Sequence, residues 1–262
     1  MFFRLQTFGF AGHSQEAAGA AFSFIELLAV MALIAVMSIP LFLVTLSALA
    51  MDSATDQVAS TLDAAASYSK ANNTYVWVGF FEEDSTSLCN QPSRAGIGRI
   101  VISVVASKDC TQIVDPFGKG MPIDSARLTQ VYKLLRIENI HFSDVTVPLN
   151  PQPDGSGASW ETRPDVRTPE KTSRIGESSP SSTIFPFTYP VGSLATLPQY
   201  TFLKTIQFSP HGEVILNTSY SLVPWIEIGL QAVHGHFKGS GGADLAAIQI
   251  SGVTGEIKTY RP

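Results

Sequence analysis

Hydrophobic and polar positions are distributed very unevenly along the chain. Residues 27–51 carry no charged side chain. About 25 residues at roughly 1.5 Å each make about 37 Å of helix, enough to cross a hydrocarbon core of roughly 30 Å. Pro40 lies inside this run and is expected to kink the helix or end its most regular part. Asp52 and Asp56 follow directly. Over residues 53–73, Val58, Leu62, Ala65, Ala66 and Ser69 recur at helical spacing, with Asp56 and Asp63 elsewhere on the wheel. This pattern extends the helix and offers a face of small residues to a sheet. Asn72-Asn73 should stop it.

Beyond the helix the pattern is that of strands. Residues 74–81 (TYVWVGFF) are β-rich, and 98–106 (GRIVISVVA) read as a strand. Residues 131–142 alternate less cleanly and fit a helix followed by a strand. Residues 204–216 contain two strands around Pro210-His211-Gly212. Residues 225–233 form another. Residues 246–250 and 256–260 flank SGVTG, a closing hairpin. Between 147 and 190, Pro148, Pro151, Pro153, Pro164, Pro169, Pro180, Pro186 and Pro190 alternate with polar residues, and no apolar periodicity survives. A long surface insertion is expected there, with Trp160 able to dock on the domain or on a partner. There is no internal repeat.

Composition adds limits. The 262 residues have a formal net charge of −5, are 45% hydrophobic and only 15% charged. That is one domain of ordinary size plus an anchor. No Lys/Arg block supplies the basic face that phosphate binding needs, so nucleic acid is not an expected partner. Cys89 and Cys110 both follow the apolar run. In an exported segment they are expected to pair, closing a loop of about 20 residues worth roughly 3 kcal/mol; the alternative is two buried free thiols. Ser67-Tyr-Ser-Lys70 fits the S-x-x-K pattern of acyl-serine enzymes, but the later S-D-N and K-T-G elements are missing, so an exposed helix end is the better reading. His234-Gly-His236 lacks an evident third ligand, although His211 or Glu213 are candidates. Gly239-Ser-Gly-Gly242 lacks the setting of a phosphate loop. Asp109, Asp115, Asp124 and Asp144 are too scattered to nominate a calcium site. No cofactor, metal or catalytic activity is therefore expected.

Small residues, Ala17-Ala18-Gly19-Ala20-Ala21, precede the apolar run, the reverse of a secretory signal. The stretch Ala21-Phe22-Ser23-Phe24-Ile25-Glu26-Leu27-Leu28 resembles the cleavage and methylation motif of type IV prepilins and type II secretion pseudopilins. That resemblance implies cutting between Ala21 and Phe22 by a prepilin peptidase, N-methylation of Phe22, and Glu26 as the fifth mature residue. Ala21 departs from the usual Gly. A carboxylate amid lipid is costly. In the family it meets the N-terminal amine of a neighbouring subunit, so Glu26 becomes an assembly residue; the alternative is a Glu near the interface, reaching headgroups. Residues 58–81, IQFSPHGE at 206–213 and the terminal hairpin resemble the H-type minor pseudopilins of type II secretion or the fimbrial T-type pilins, and the terminal pieces resemble the Verru_Chthon cassette D family.

The fold so implied is α+β: a leader at 1–21, a long N-terminal membrane-spanning α-helix (its membrane half 22–51), and an antiparallel β-sheet head at 52–262 with the insertion at 147–190. The implied protein is a single-pass subunit of the bacterial inner membrane, its head in the periplasm or outside the cell in a filament, with other pilin or pseudopilin subunits as partners. The competing readings are an anchored binding module that never polymerises and an anchored enzyme. The Glu26 side chain discriminates the first of these, because only assembly requires it.

Overall fold

The computed structural model describes residues 23–88, 92–113, 123–166, 173–177, 185–192, 197–216, 222–235, 237–238 and 244–262; for 37–48 it describes the backbone only. The chain divides into two compact units, Met1–Leu43 and Val44–Pro262. Helix α1, Phe24–Ala71, begins in the first and ends in the second.

Within the second unit, Met51, Ala54, Val58, Leu62, Ala65, Ala66 and Ser69 of α1 are all buried, at steps of three and four residues. That spacing puts them on one helical face. The helix stops because Asn73 turns to φ 49°. The Thr74 amide then donates to the Ser69 carbonyl and the Asn73 amide to the Lys70 carbonyl, closing two of the carbonyls the helix end leaves open.

The strands form two six-stranded sheets and a two-stranded ribbon. In the first sheet β1 (Val76–Asp84) is central, paired antiparallel with β2 (Gly98–Ser107) and with β9 (Lys204–Phe208). The short strands β3 (Leu128–Gln130) and β4 (Leu135–Glu138) both continue from β2, and β10 (Val214–Ile215) closes the other edge on β9. In the second sheet β11 (Trp225–His234) pairs with β13 (Leu245–Ser251), which pairs with β14 (Ile257–Tyr260). The strands β5 (Ile140–Phe142), β6 (Arg174–Ile175) and β12 (Phe237–Lys238) also pair with β11, β6 in parallel. The ribbon joins β7 (Phe187–Tyr189) to β8 (Tyr200–Phe202).

Side chains alternate between faces along each strand, and in β1 both faces are covered. Val76, Val78 and Phe80 enter a core shared with α1 and with Ile226, Ile228, Leu230, Ile248 and Ile250 of the second sheet. Trp77 points the other way, into a second cluster with Phe185, Phe187, Tyr200 and Phe202. The ribbon lies so close to β1 that a Cβ on Gly79 would meet Phe187 Cζ and Phe202 Cβ at 2.7 Å. A third cluster, Val145, Trp160, Ala247 and Tyr260, covers the outer face of the second sheet.

These observations correct the expected architecture. Among the described residues no helix is long and apolar enough to cross a membrane. From Asp52 onward α1 is amphipathic and belongs to the core. The membrane-spanning helix, the single-pass inner-membrane placement and the membrane-pilin description built on them are therefore not supported. Nor is the remainder one sheet serving as a platform: it is predominantly antiparallel β, with fourteen strands among the described residues.

Two local expectations also change. Residues 131–142 hold no helix. They contain β4 in the first sheet and β5 in the second, with Asn139 at φ 61° between them. The Asn139 amide donates to the Gly98 carbonyl and its own carbonyl accepts from the Val233 amide, so one residue ties both sheets at the corner. The 147–190 insertion is built into the fold rather than laid over it: Trp160, Arg163 and Val166 are buried, and β6 and β7 fall within it. Its apolar contacts are single residues at irregular intervals, which leave no period to detect.

Candidate functional site

The start of α1 is the site to which the sequence points. Ser23 precedes the first turn. Its Oγ lies 3.3 Å from the Glu26 amide, and the Glu26 carboxylate accepts the Ser23 amide at 3.1 Å. This reciprocal pair is a capping box, and it satisfies two donors that a helix start leaves open. The carboxylate also sits where the helix dipole favours negative charge. Sequence reasoning weighed Glu26 only as a buried charge or a headgroup contact. The signal it missed was Ser23-x-x-Glu26 before an apolar run, the ordinary mark of a helix start. Ala21 and Phe22, the expected cleavage and methylation residues, lie outside the described residues.

Beside Glu26 stands an unusual surface. Phe24, Ile25, Leu27, Leu28, Val30, Met31, Leu33, Ile34 and Val36 are all more than half exposed, from 52% at Val30 to 79% at Phe24. Contiguous apolar surface of this kind marks an interaction site. Burying each such side chain is worth about 1.5–3 kcal/mol.

The other candidates are dispersed. Cys110 is exposed with a free thiol, and Cys89, its expected partner, lies outside the described residues. Ser67 and Lys70 are exposed on the last turns of α1. His211 and His234 are exposed and His236 is outside the described residues, as are residues 239–242. Among the described residues no three His, Cys, Asp or Glu side chains are grouped to hold a metal ion. Asp124 caps a 3-10 turn, Ser125–Arg127. Asp109 accepts from Ser107 and Thr111, which hold its carboxyl well below the usual carboxylate range.

Two polar clusters were not anticipated. His141 on β5 is buried, with Nδ1 2.6 Å from Glu82 Oε1 on β1 and Nε2 3.6 Å from Glu177 Oε2. Lys238 bonds Glu177 and holds that carboxyl below its usual range. Lys204 donates to the Gly176 carbonyl, and burial lowers its ammonium's pKa. A cleft of about 150 Å³ adjoins, lined by Phe80, Phe81, Phe142 and Leu203 with Glu82 and Lys204. The cluster links the first sheet to the second through one imidazole.

The second cluster is a buried ion pair. Arg163 Nε lies 3.1 Å from Glu227 Oε2 on β11, both side chains almost wholly enclosed. Gln249 donates to the same carboxylate oxygen at 2.9 Å and to the Pro164 carbonyl. The guanidinium stacks over the Trp160 ring at 3.9 Å and bonds the Thr146 and Trp160 carbonyls. Burial raises the Glu227 carboxyl pKa, against the opposing pull of Gln249 and Arg163. These contacts fix the strap 145–166 to the second sheet. No protein-family model matches the chain, and no curated protein and no solved structure matches it either.

Proposed function

We propose that the chain is a non-catalytic structural subunit of the type IV pilin or pseudopilin kind, which assembles with other subunits by packing the first turns of α1 laterally. The reading is carried by one observation: nine large apolar side chains of a single helical segment are more than half exposed. A side chain of this kind gains from leaving water, and a partner subunit's helix provides that. The motif from Ala21 to Leu28 supports it further. A prepilin peptidase would cut at Ala21–Phe22, leaving Phe22 as a methylated N-terminus a few residues before Glu26. Glu26, the acidic group of this segment, then sets register, because a charge at a packed interface needs a cation opposite it. Its capping role is compatible with this, since Ser23 engages one carboxylate oxygen, Oε2.

Mass spectrometry of the natural protein's N-terminus is the direct test. A chain beginning at methylated Phe22 supports the reading, and retention of the first 21 residues overturns it. Glu26→Ala should keep the helical and strand content while losing most self-association.

A further inference from the structure

We propose that His141 is a proton-operated clamp: with hydrogens on both ring nitrogens it joins Glu82 of β1 to Glu177 beside β6, and loss of the Nε2 proton releases residues 173–177 from the junction of the two sheets. This goes beyond the subunit reading and stands whether or not the first turns of α1 pack against a neighbour.

The ring is 2% exposed. Nδ1 lies 2.6 Å from Glu82 Oε1, and an ionised carboxylate only accepts, so Nδ1 carries hydrogen. Nε2 lies 3.6 Å from Glu177 Oε2, and among the described residues it has no hydrogen-bond partner. A neutral imidazole has a single N–H. It therefore turns a bare lone pair toward the Glu177 carboxylate, acceptor against acceptor, at an atom closed to water. A second proton, on Nε2, converts that opposition into an ion pair. Charge balance leads to the same state. Glu82, Asp144 and Glu177 all act on the Lys204 ammonium, and Lys238 pairs with Glu177. Three carboxylates thus face two ammonium groups, and the imidazolium brings the cluster to neutrality. A buried charge needs such compensation. The remaining charged groups on strands around β5 are engaged elsewhere: Arg99 of β2 with Glu83 and Glu138, Glu227 of β11 with Arg163, and Arg174 of β6 with the field of Glu227. His234 ends β11 exposed to solvent.

The segment that the clamp holds has a short attachment. β6 pairs with β11 at two positions, Arg174 with Glu227 and Ile175 with Ile228. Next to them the Gly176 carbonyl accepts from Lys204, while Glu177 bonds Lys238 and faces His141. The contact between Glu82 and Nδ1 survives deprotonation of Nε2, so β1 and β5 stay joined while the short segment loses its hold. Release also frees the Lys204 ammonium, which borders the aromatic cleft of Phe80, Phe81 and Phe142. Imidazole is the side chain whose charge ordinarily changes between about pH 5 and 8. The clamp is closed on the acid side of that range and opens as pH rises through it. Lys238, with His141, holds the Glu177 carboxyl below its usual range, so Glu177 is still ionised where the ring is charged.

The test is amide hydrogen exchange on the full chain between about pH 5.5 and 8, corrected for the intrinsic rate at each pH, with nitrogen NMR of the His141 ring alongside. Peptides covering 173–177 should lose about tenfold in protection across this range, while those of β1 and β2 keep theirs. The ring should carry hydrogen on both nitrogens at the acid end and on Nδ1 alone at the other. His141→Gln should leave 173–177 open and insensitive to pH. If that variant fails to fold, Glu177→Gln decides instead: its side chain is half exposed, so it should keep the fold and flatten the response. Protection of 173–177 that does not move with pH, a ring that keeps the same number of protons throughout, or a response that survives Glu177→Gln overturns the clamp.

Discussion

The Arg163 guanidinium is fully buried, and its surroundings account for its presence. Glu227 supplies the opposite charge, two backbone carbonyls take further donors, and the Trp160 face takes the rest. A buried pair of this kind contributes little over an apolar replacement, but breaking it by removing one partner costs about 3–5 kcal/mol. Arg163→Met and Glu227→Gln should therefore each be strongly destabilising in urea unfolding. The double variant Arg163→Met with Glu227→Met should cost less than the sum of the singles, since no orphan charge remains. The pH response carries a definite sign. Burial raises the Glu227 carboxyl in the folded state above its ordinary 4.5, so between the two values the folded chain holds a proton there that the unfolded chain has released, while above the raised value the carboxylate pairs with Arg163. Its stabilising contribution is complete below about pH 4.5 and is lost as pH rises through the raised value. Glu227→Gln, followed by urea midpoints across that range, should flatten this part of the profile; an unchanged slope would place the effect elsewhere. None of this was legible beforehand. Arg163 and Glu227 are 64 residues apart, and nothing local in a chain marks two such residues as partners.

At the level of elements, the sequence was readable wherever burial is periodic. The buried face of α1 through Val58, Leu62 and Ala65 follows from helical spacing, and the cores of β1, β2, β9, β11 and the closing hairpin follow from dense β-branched and aromatic residues bounded by turns. The reading failed where one stretch serves two sheets. Residues 131–142 look helical because their apolar positions belong to two different surfaces, joined at Asn139. That corner makes a testable demand. A left-handed φ is cheap for Gly, tolerable for Asn and costs roughly 1–2 kcal/mol for other residues. Asn139→Gly should leave the melting midpoint almost unmoved, while Asn139→Val should lower stability by about that amount or more. Equal effects from the two would mean that the side chain rather than the backbone holds the corner. The strap 145–166 escaped for a different reason. Its proline-rich composition suggests exposure, yet one aromatic and one paired arginine suffice to seat it. Trp160→Ala should cost about 3–5 kcal/mol and expose the outer face of the second sheet to hydrogen exchange.

For the whole molecule, the decisive contrast lies between the two units. Each buried side chain of the main core lies at or beyond Met51, whereas among the described residues the longest run of exposed apolar side chains, Phe24–Val36, lies in the first unit. Under the proposed subunit reading, stability and assembly thus fall to different parts of one chain. Sequence patterning showed both parts as hydrophobic and read the first as a lipid span; only solvent exposure separates a segment that covers a core from one that needs covering. The separation predicts that a fragment of Val44–Pro262 retains one cooperative thermal transition, with a midpoint within a few degrees of the full chain, because it keeps every contact of the core. The same fragment should sediment as a monomer at concentrations where the full chain associates. Loss of cooperative unfolding in the fragment would make the first turns of α1 part of the core. Self-association by the fragment alone would move the assembly surface to the sheets.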